Sequence, residues 1–335
     1  MPGRPADWSY METRRNNFDV TDSIDTTDVA SVNKEVARIF QELYPDASVD
    51  TLERSFTNVG LLFRGEYVGY RACDTEYHNL QHTLDVALAM ARLMDGYERS
   101  NRRPEPIGPR LFTFGMVTAL LHDIGYLRRN KDTRHQNGAE YTLTHVTRGG
   151  KFIEEYMNMI GMDDLAAVAS EIVHFTGYER PLDKIETPSP IFRLLGNMLG
   201  TADIIAQMAD RCYLEKCRDR LFPEFVACGL ADPKTFNGAG EALFSSAEDL
   251  LFKTPEYYRS AITRLNELLG GVYIYAQKHF GNQNLYLDEI DRNIDYARSI
   301  AREQDASLLR RTPPDSRLVN DEVDEQQPHR DISPG

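Results

Sequence analysis

Apolar positions recur at helical spacing along most of the chain, with little of the strict alternation that marks a half-buried strand. Val36, Ile39, Phe40 and Leu43 form a first segment, which Pro45 closes. A second helix is expected to start near Thr75 and to carry Leu84, Leu88, Ala91 and Met94 as far as Gly96. After the polar stretch SNRRPEPIGP, the run LFTFGMVTALLHDIGY is apolar almost all round, which is the pattern of a helix buried on every side. Residues 139–160, 163–175, 189–217, 245–253, 255–280 and 284–303 read as further helices. Leu287, Ile290, Ile294, Ala297 and Ile300 set the period of the last. The segment NVGLLFRGEYVGY reads as a loop or a short hairpin. The expected fold is all-α, a multi-helix bundle formed by one domain over residues 33–303. Residues 1–32 and the acidic stretch 304–335 are expected to be disordered tails, because the runs DVTDSIDTTD and DEVDEQQ bury too little apolar surface to offset the entropy of ordering them.

The 335 residues are 41% hydrophobic and 27% charged, ordinary values for a globular chain. The 4 cysteines, Cys73, Cys212, Cys217 and Cys228, form no C-x-x-C pair. That spacing argues for reduced thiols and a cytoplasmic setting. The N-terminus has no apolar core of a signal peptide, and no uncharged apolar run reaches about 18 residues, so no membrane partner is expected. A net charge of -14 repels nucleic-acid polymers. It leaves room for a small phosphorylated substrate, since a metal site supplies positive charge locally.

The 8 histidines carry the candidate chemistry. His78 and His82 lie at i, i+4, which would put both imidazoles on one face of a helix. Asp85 or Asn79 could take the second ring N–H of one of them, as a carboxylate or carbonyl usually does beside a metal. His122–Asp123 ends the most apolar run in the chain, where a carboxylate is expensive unless paired or metal-bound. Asp203 sits in a comparable run, NMLGTADIIAQM, while His145 and His174 lie near helix ends. His135 reads as loop surface, His279 as a helix C-terminal cation and His329 as tail. Acids and histidines in several apolar helices call for a common partner, and a divalent metal cluster provides one.

These residues resemble a known family. His82, His122–Asp123 and Asp203 match in order the H…HD…D pattern of the HD-domain metal-dependent phosphohydrolases. The stretch Tyr77-His78-Asn79-Leu80-Gln81-His82-Thr83-Leu84-Asp85-Val86 is similar to the Y-H-N-x-x-H-x-x-D-V signature of class I cyclic nucleotide phosphodiesterases. The resemblance implies a binuclear site in which His82, His122, Asp123 and Asp203 bind a first divalent metal, with Asp123 bridging to a second. Zinc, manganese, magnesium or iron would serve. It further implies that His78 is the general acid and that the substrate is a small cyclic nucleotide. That family continues H-D-x-x-H, whereas Tyr126 stands here at the later position. Gln207 and Gln277 are candidates by residue type alone for reading a base.

The fuller order His82, His122–Asp123, His145, His174, Asp203 resembles the binuclear subgroup that includes HD-GYP cyclic dinucleotide phosphodiesterases and mixed-valent di-iron oxygenases. That likeness implies that His145 and His174 hold the second metal. Candidate substrate contacts are Tyr77, Asn79 and Tyr126 beside the ligands. The basic cluster Arg128, Arg129, Lys131 and Arg134 adds candidate phosphate contacts, and Lys151 a weaker one. The leading expectation is a cyclic nucleotide phosphodiesterase. A cyclic dinucleotide phosphodiesterase and a di-iron oxygenase acting on a small hydroxylated or phosphonate substrate are the alternatives. Unpartnered helical faces would suit a homodimer.

Overall fold

The computed structural model describes residues 14–101, 104–231 and 243–315. The all-α expectation holds: among the described residues, extended pairing is confined to the isolated bridges Phe18–Asp25, Tyr70–Arg129 and Ala231–Phe244. The helices are α1 (Val29–Leu43), α2 (Asp50–Arg64), α3 (Leu80–Glu98), α4 (Gly108–Leu120), α5 (His145–Met159) and α6 (Asp163–Ile172). They continue with α7 (Pro190–Ala209), α8 (Tyr213–Lys216), α9 (Phe222–Ala227), α10 (Ala247–Thr263), α11 (Ile274–His279) and α12 (Leu285–Glu303). None is long and apolar enough to cross a membrane. All four cysteines are free thiols.

The bundle is organised around α3, in which every residue but Asp85 is buried. It packs against α1, α4, α7 and α11, while α7 is flanked by α12, α6 and α4. Gly96 permits one of these approaches: a Cβ there would stand 1.8 Å from the Tyr275 carbonyl oxygen, so α11 crosses α3 at backbone contact. That is why α3 runs through Gly96 to Glu98 and does not end before it.

Several boundaries differ from those read in the sequence. Of the segment 58–70, expected as a loop or short hairpin, 58–64 belong to α2, while 65–70 form a loop that ends in the Tyr70–Arg129 bridge. Leu52, Phe56, Val59 and Phe63, spaced three and four apart, turn one face of that helix to the core. The aromatic and glycine content that suggested a turn is explained only at its end, where Gly65 takes a left-handed φ of 75°. α3 begins at Leu80, five residues after Thr75, because Asn79 in extended conformation caps it. α10 passes straight through Pro255, with Leu250, Leu251, Thr254 and Ala261 buried on either side of it. The helix expected over 189–217 stops at Ala209, where Asp210 turns extended, and resumes as α8, a π turn over Cys217–Leu221 and α9.

Residues 14–32, assigned above to a tail, lie against the body. Asp19 pairs at 2.5 Å with Arg92 of α3, and both side chains are almost wholly buried. At the other end, Arg311 donates from its backbone to Glu215 at 3.1 Å and from its side chain to Asn293 at 3.0 Å. Buried polar partners hold these segments where composition alone offered no reason for order. The remainder of both tails, His329 included, lies outside the described residues.

Candidate metal centre

Four elements converge on one buried point. His82 comes from the first turn of α3, and His122 and Asp123 from the turn that ends α4. Asp203 comes from the middle of α7, and His145 from the first residue of α5. His82 Nε2 lies 3.4 Å from His122 Nε2, 3.4 Å from Asp123 Oδ2 and 3.3 Å from Asp203 Oδ1. His122 Nε2 lies 3.1 Å from the same Asp123 Oδ2. The other carboxylate oxygen, Oδ1, faces His145 Nε2 at 3.6 Å. His82, His122 and Asp123 meet the spacing of a metal-holding group.

Hydrogen bonding fixes what these rings can offer. A carbonyl only accepts, so His122 Nδ1, 2.8 Å from the Ala119 oxygen, must carry its proton. His145 Nδ1, 2.6 Å from the Thr142 oxygen, is held in the same way. Each ring then turns a lone pair on Nε2 toward Asp123, and lone pairs facing a carboxylate repel unless a cation lies between them. Asp123 Oδ2 is buried and makes no hydrogen bond, which is the condition of a ligand oxygen. Donors about 2.1 Å from one ion stand roughly 3.0–3.4 Å apart at octahedral to tetrahedral angles, and the spacings of His82 to His122, Asp123 and Asp203 and of His122 to Asp123 fall in that range, while His145 lies beyond it. The residues fit a divalent metal.

The electrostatics agree. Burial works against a charged imidazolium at His82, yet the Asp123 and Asp203 carboxylates beside it outweigh that and raise its pKa to about 10. His122 is raised against burial chiefly by the Asp123 charge. Asp123 resists the upward push of its own burial and is held well below the usual carboxylate range, first by His122. Burial lowers the pKa of His145. A field this negative favours a cation at the cluster. The cluster is closed at His122 and opens on the side of Asp203, His145 and His78, whose side chains are 16%, 18% and 16% exposed.

His78 does not share a helix face with His82, contrary to the i, i+4 reading. It precedes the Asn79 cap, and its ring stands edge-on to His82 with centroids 5.9 Å apart. It is outside the donor cluster. Glu224 of α9 holds it, with Oε2 2.5 Å from His78 Nδ1 and Oε1 accepting the Tyr77 N–H at 2.6 Å. Tyr126 stacks on His78 at 4.3 Å and 14°, and on His145 at 4.3 Å and 21°. His174 is buried with Nδ1 2.5 Å from Glu179 Oε1. Its partner is Glu179, and it does not join His82, His122 and Asp123 in the donor group.

Neither a family model, nor a curated protein, nor a solved structure matches the chain.

Other candidate contacts are otherwise engaged. The Asn79 side chain accepts the His82 N–H at 3.1 Å and donates to the Glu76 carbonyl at 2.7 Å, so it caps α3. Asp85 does not orient a ligand ring. Burial and the charge of Asp210 raise its pKa to about 7, and it bonds Thr26. Tyr77 is buried and donates to Gln207 at 3.1 Å. Arg128 is spent on Asp74 at 2.7 Å and on the His135 carbonyl at 2.9 Å, while Lys131, Arg129 and Arg134 are exposed. Sequence reasoning missed Glu224 and Glu179. Glu179 follows His174 by five residues, a weak signal, and Glu224 lies 146 residues from His78 with none.

Proposed function

We propose that this chain is a metal-dependent phosphodiesterase that opens a small cyclic nucleotide of the 3′,5′ type. The observation that carries the reading is His78, an imidazole outside the donor cluster, at its open side and held by a buried carboxylate. A ligand would need its ring nitrogens aimed at the cluster; a proton donor needs one nitrogen held and the other free. His78 Nδ1 is held by Glu224, which leaves Nε2 for the substrate.

His82, His122, Asp123 and Asp203 would hold one metal. The opposed aim of the two Asp123 oxygens supports a second one toward His145. When bound, the metals supply the positive charge that polarises a phosphoryl group and lowers the pKa of a water. In hydrolysis a water oxygen bonds to phosphorus as the ester P–O bond breaks, the water's proton leaves to solvent, and solvent returns a proton to His78 after turnover. The departing ribose oxygen keeps the electron pair and takes the proton from His78 Nε2, a transfer worth about 10²–10⁴ in rate. Burial of Asp123 and His122 keeps bulk water from competing for the donors.

The test is turnover of cyclic AMP and cyclic GMP by protein loaded with Mn²⁺. Wild type should be active, Asp123→Ala dead, and His78→Ala lower by at least ~10². His145 facing the second oxygen of Asp123 is also compatible with a mixed-valent di-iron oxygenase. Retention of iron with oxygen uptake and no phosphoester turnover would decide for that alternative, and turnover of cyclic dinucleotides alone for the dinucleotide reading.

A further inference from the structure

We infer that Tyr126 is a positioning residue: its ring, stacked on both His78 and His145, sets where the leaving-group proton donor stands relative to the metal centre. The inference rests on reading His78 as that donor.

His78 lies in the irregular segment before α3, where no helical backbone bonds fix it. Its carbonyl accepts from Thr75 Oγ1 at 2.7 Å and its Nδ1 meets Glu224, but one contact at Nδ1 leaves the ring free to turn about that axis. The stack on Tyr126 sets the plane of the ring. Tyr126 is itself firmly mounted. It ends the 3-10 turn Ile124–Tyr126 that follows Asp123, and its N–H bonds the Asp123 carbonyl at 3.0 Å. The turn is pressed onto the start of α5, since a Cβ on Gly125 would lie 1.8 Å from the His145 carbonyl oxygen. Arg148 of α5 donates to the Gly125 carbonyl. Tyr126 therefore moves with Asp123 and His145 and passes their position on to His78. At 2% exposure the ring is not available to a substrate, which replaces the contact role expected for it.

Stacking needs a flat ring and not a hydroxyl, so Tyr126→Phe should retain most of the wild-type rate. Tyr126→Leu should not. A donor displaced by about 1 Å costs on the order of 10²-fold, so kcat on a cyclic nucleotide should fall about 10–100-fold with KM little changed. Bis(4-nitrophenyl) phosphate gives the discriminating readout, because its leaving group needs no proton at neutral pH. Tyr126→Leu should leave that rate, and the Mn²⁺ bound per chain, at the wild-type level. If Tyr126→Leu does not fold, Tyr126→Met fills the same space without a flat ring and carries the same test. Equal losses on both esters, a loss of bound metal, or no loss on the cyclic nucleotide would overturn the inference while the phosphodiesterase reading stands. A wild type inactive on both esters would overturn that reading, and this inference with it.

Discussion

Asp123 binds several parts of the site together, with one oxygen toward His82 and His122 and the other toward His145. Asp123→Asn keeps the shape and removes the charge. Metal affinity, measured by metal content after dialysis, should fall by more than the ~10–100-fold that even an orienting neighbour of a ligand is worth. Asp19 permits a second prediction. Burial pushes its pKa up, but Arg92 and the Ile24 N–H prevail and hold it below the usual carboxylate value. A carboxyl so lowered adds stability above its unfolded pKa of about 3.9, and that stability is lost as pH falls through the lower folded value. Asp19→Asn leaves Arg92 buried without its counter-charge and should cost about 3–5 kcal/mol at pH 7. In urea melts the gap from wild type should close as the medium is acidified below about pH 4. His122, Asp123 and Asp203 were legible because each interrupts an apolar run, and His82 because it stands in the Y-H-N-x-x-H-x-x-D-V stretch. Glu224 was not, because it lies in an unremarkable PEFVA stretch and matters only through its distance to His78.

At the scale of elements, the caps and close approaches decide where each donor stands. Asn79 begins α3 and so places His82 in its first turn. Asn79→Ser, which preserves an acceptor for the His82 N–H, should be nearly neutral. Asn79→Ala should cost about 1 kcal/mol in thermal or urea melts. A large loss of kcat with no loss of stability would instead give Asn79 a part in binding substrate. Helical periodicity made most elements readable. Their ends were less so, since an end depends on a side chain meeting a backbone group, as at Asn79, and on what packs outside, as at Gly96. The helix α2 was missed because Gly60 and the Gly65–Tyr70 stretch look like turn chemistry, while the face carrying Leu52, Phe56 and Phe63 shows itself only once the window starts at Asp50.

Across the whole molecule, a metal at this centre would join α3, α4, α5 and α7, elements far apart in sequence. Removing it with a chelator should lower the melting temperature, and Mn²⁺ at a hundred times its Kd should restore about 2.7 kcal/mol. Asp123→Asn should melt at the same temperature with and without metal. The described chain also returns to its own beginning. Asn16 donates to the Thr312 carbonyl at 2.9 Å, Arg14 reaches the Ala209 carbonyl at 2.8 Å, and Arg311 lies along α8 and α12 beside them. Adjacent ends of this kind tolerate rejoining. The chain can therefore be treated as a ring that is open at one seam. A circular permutant sealed near Asn16 and Thr312, and cut between α3 and α4, would meet His122 first and His82 last. It would still bring the same nitrogens and oxygens to the same point, because the bundle and not the reading order assembles them.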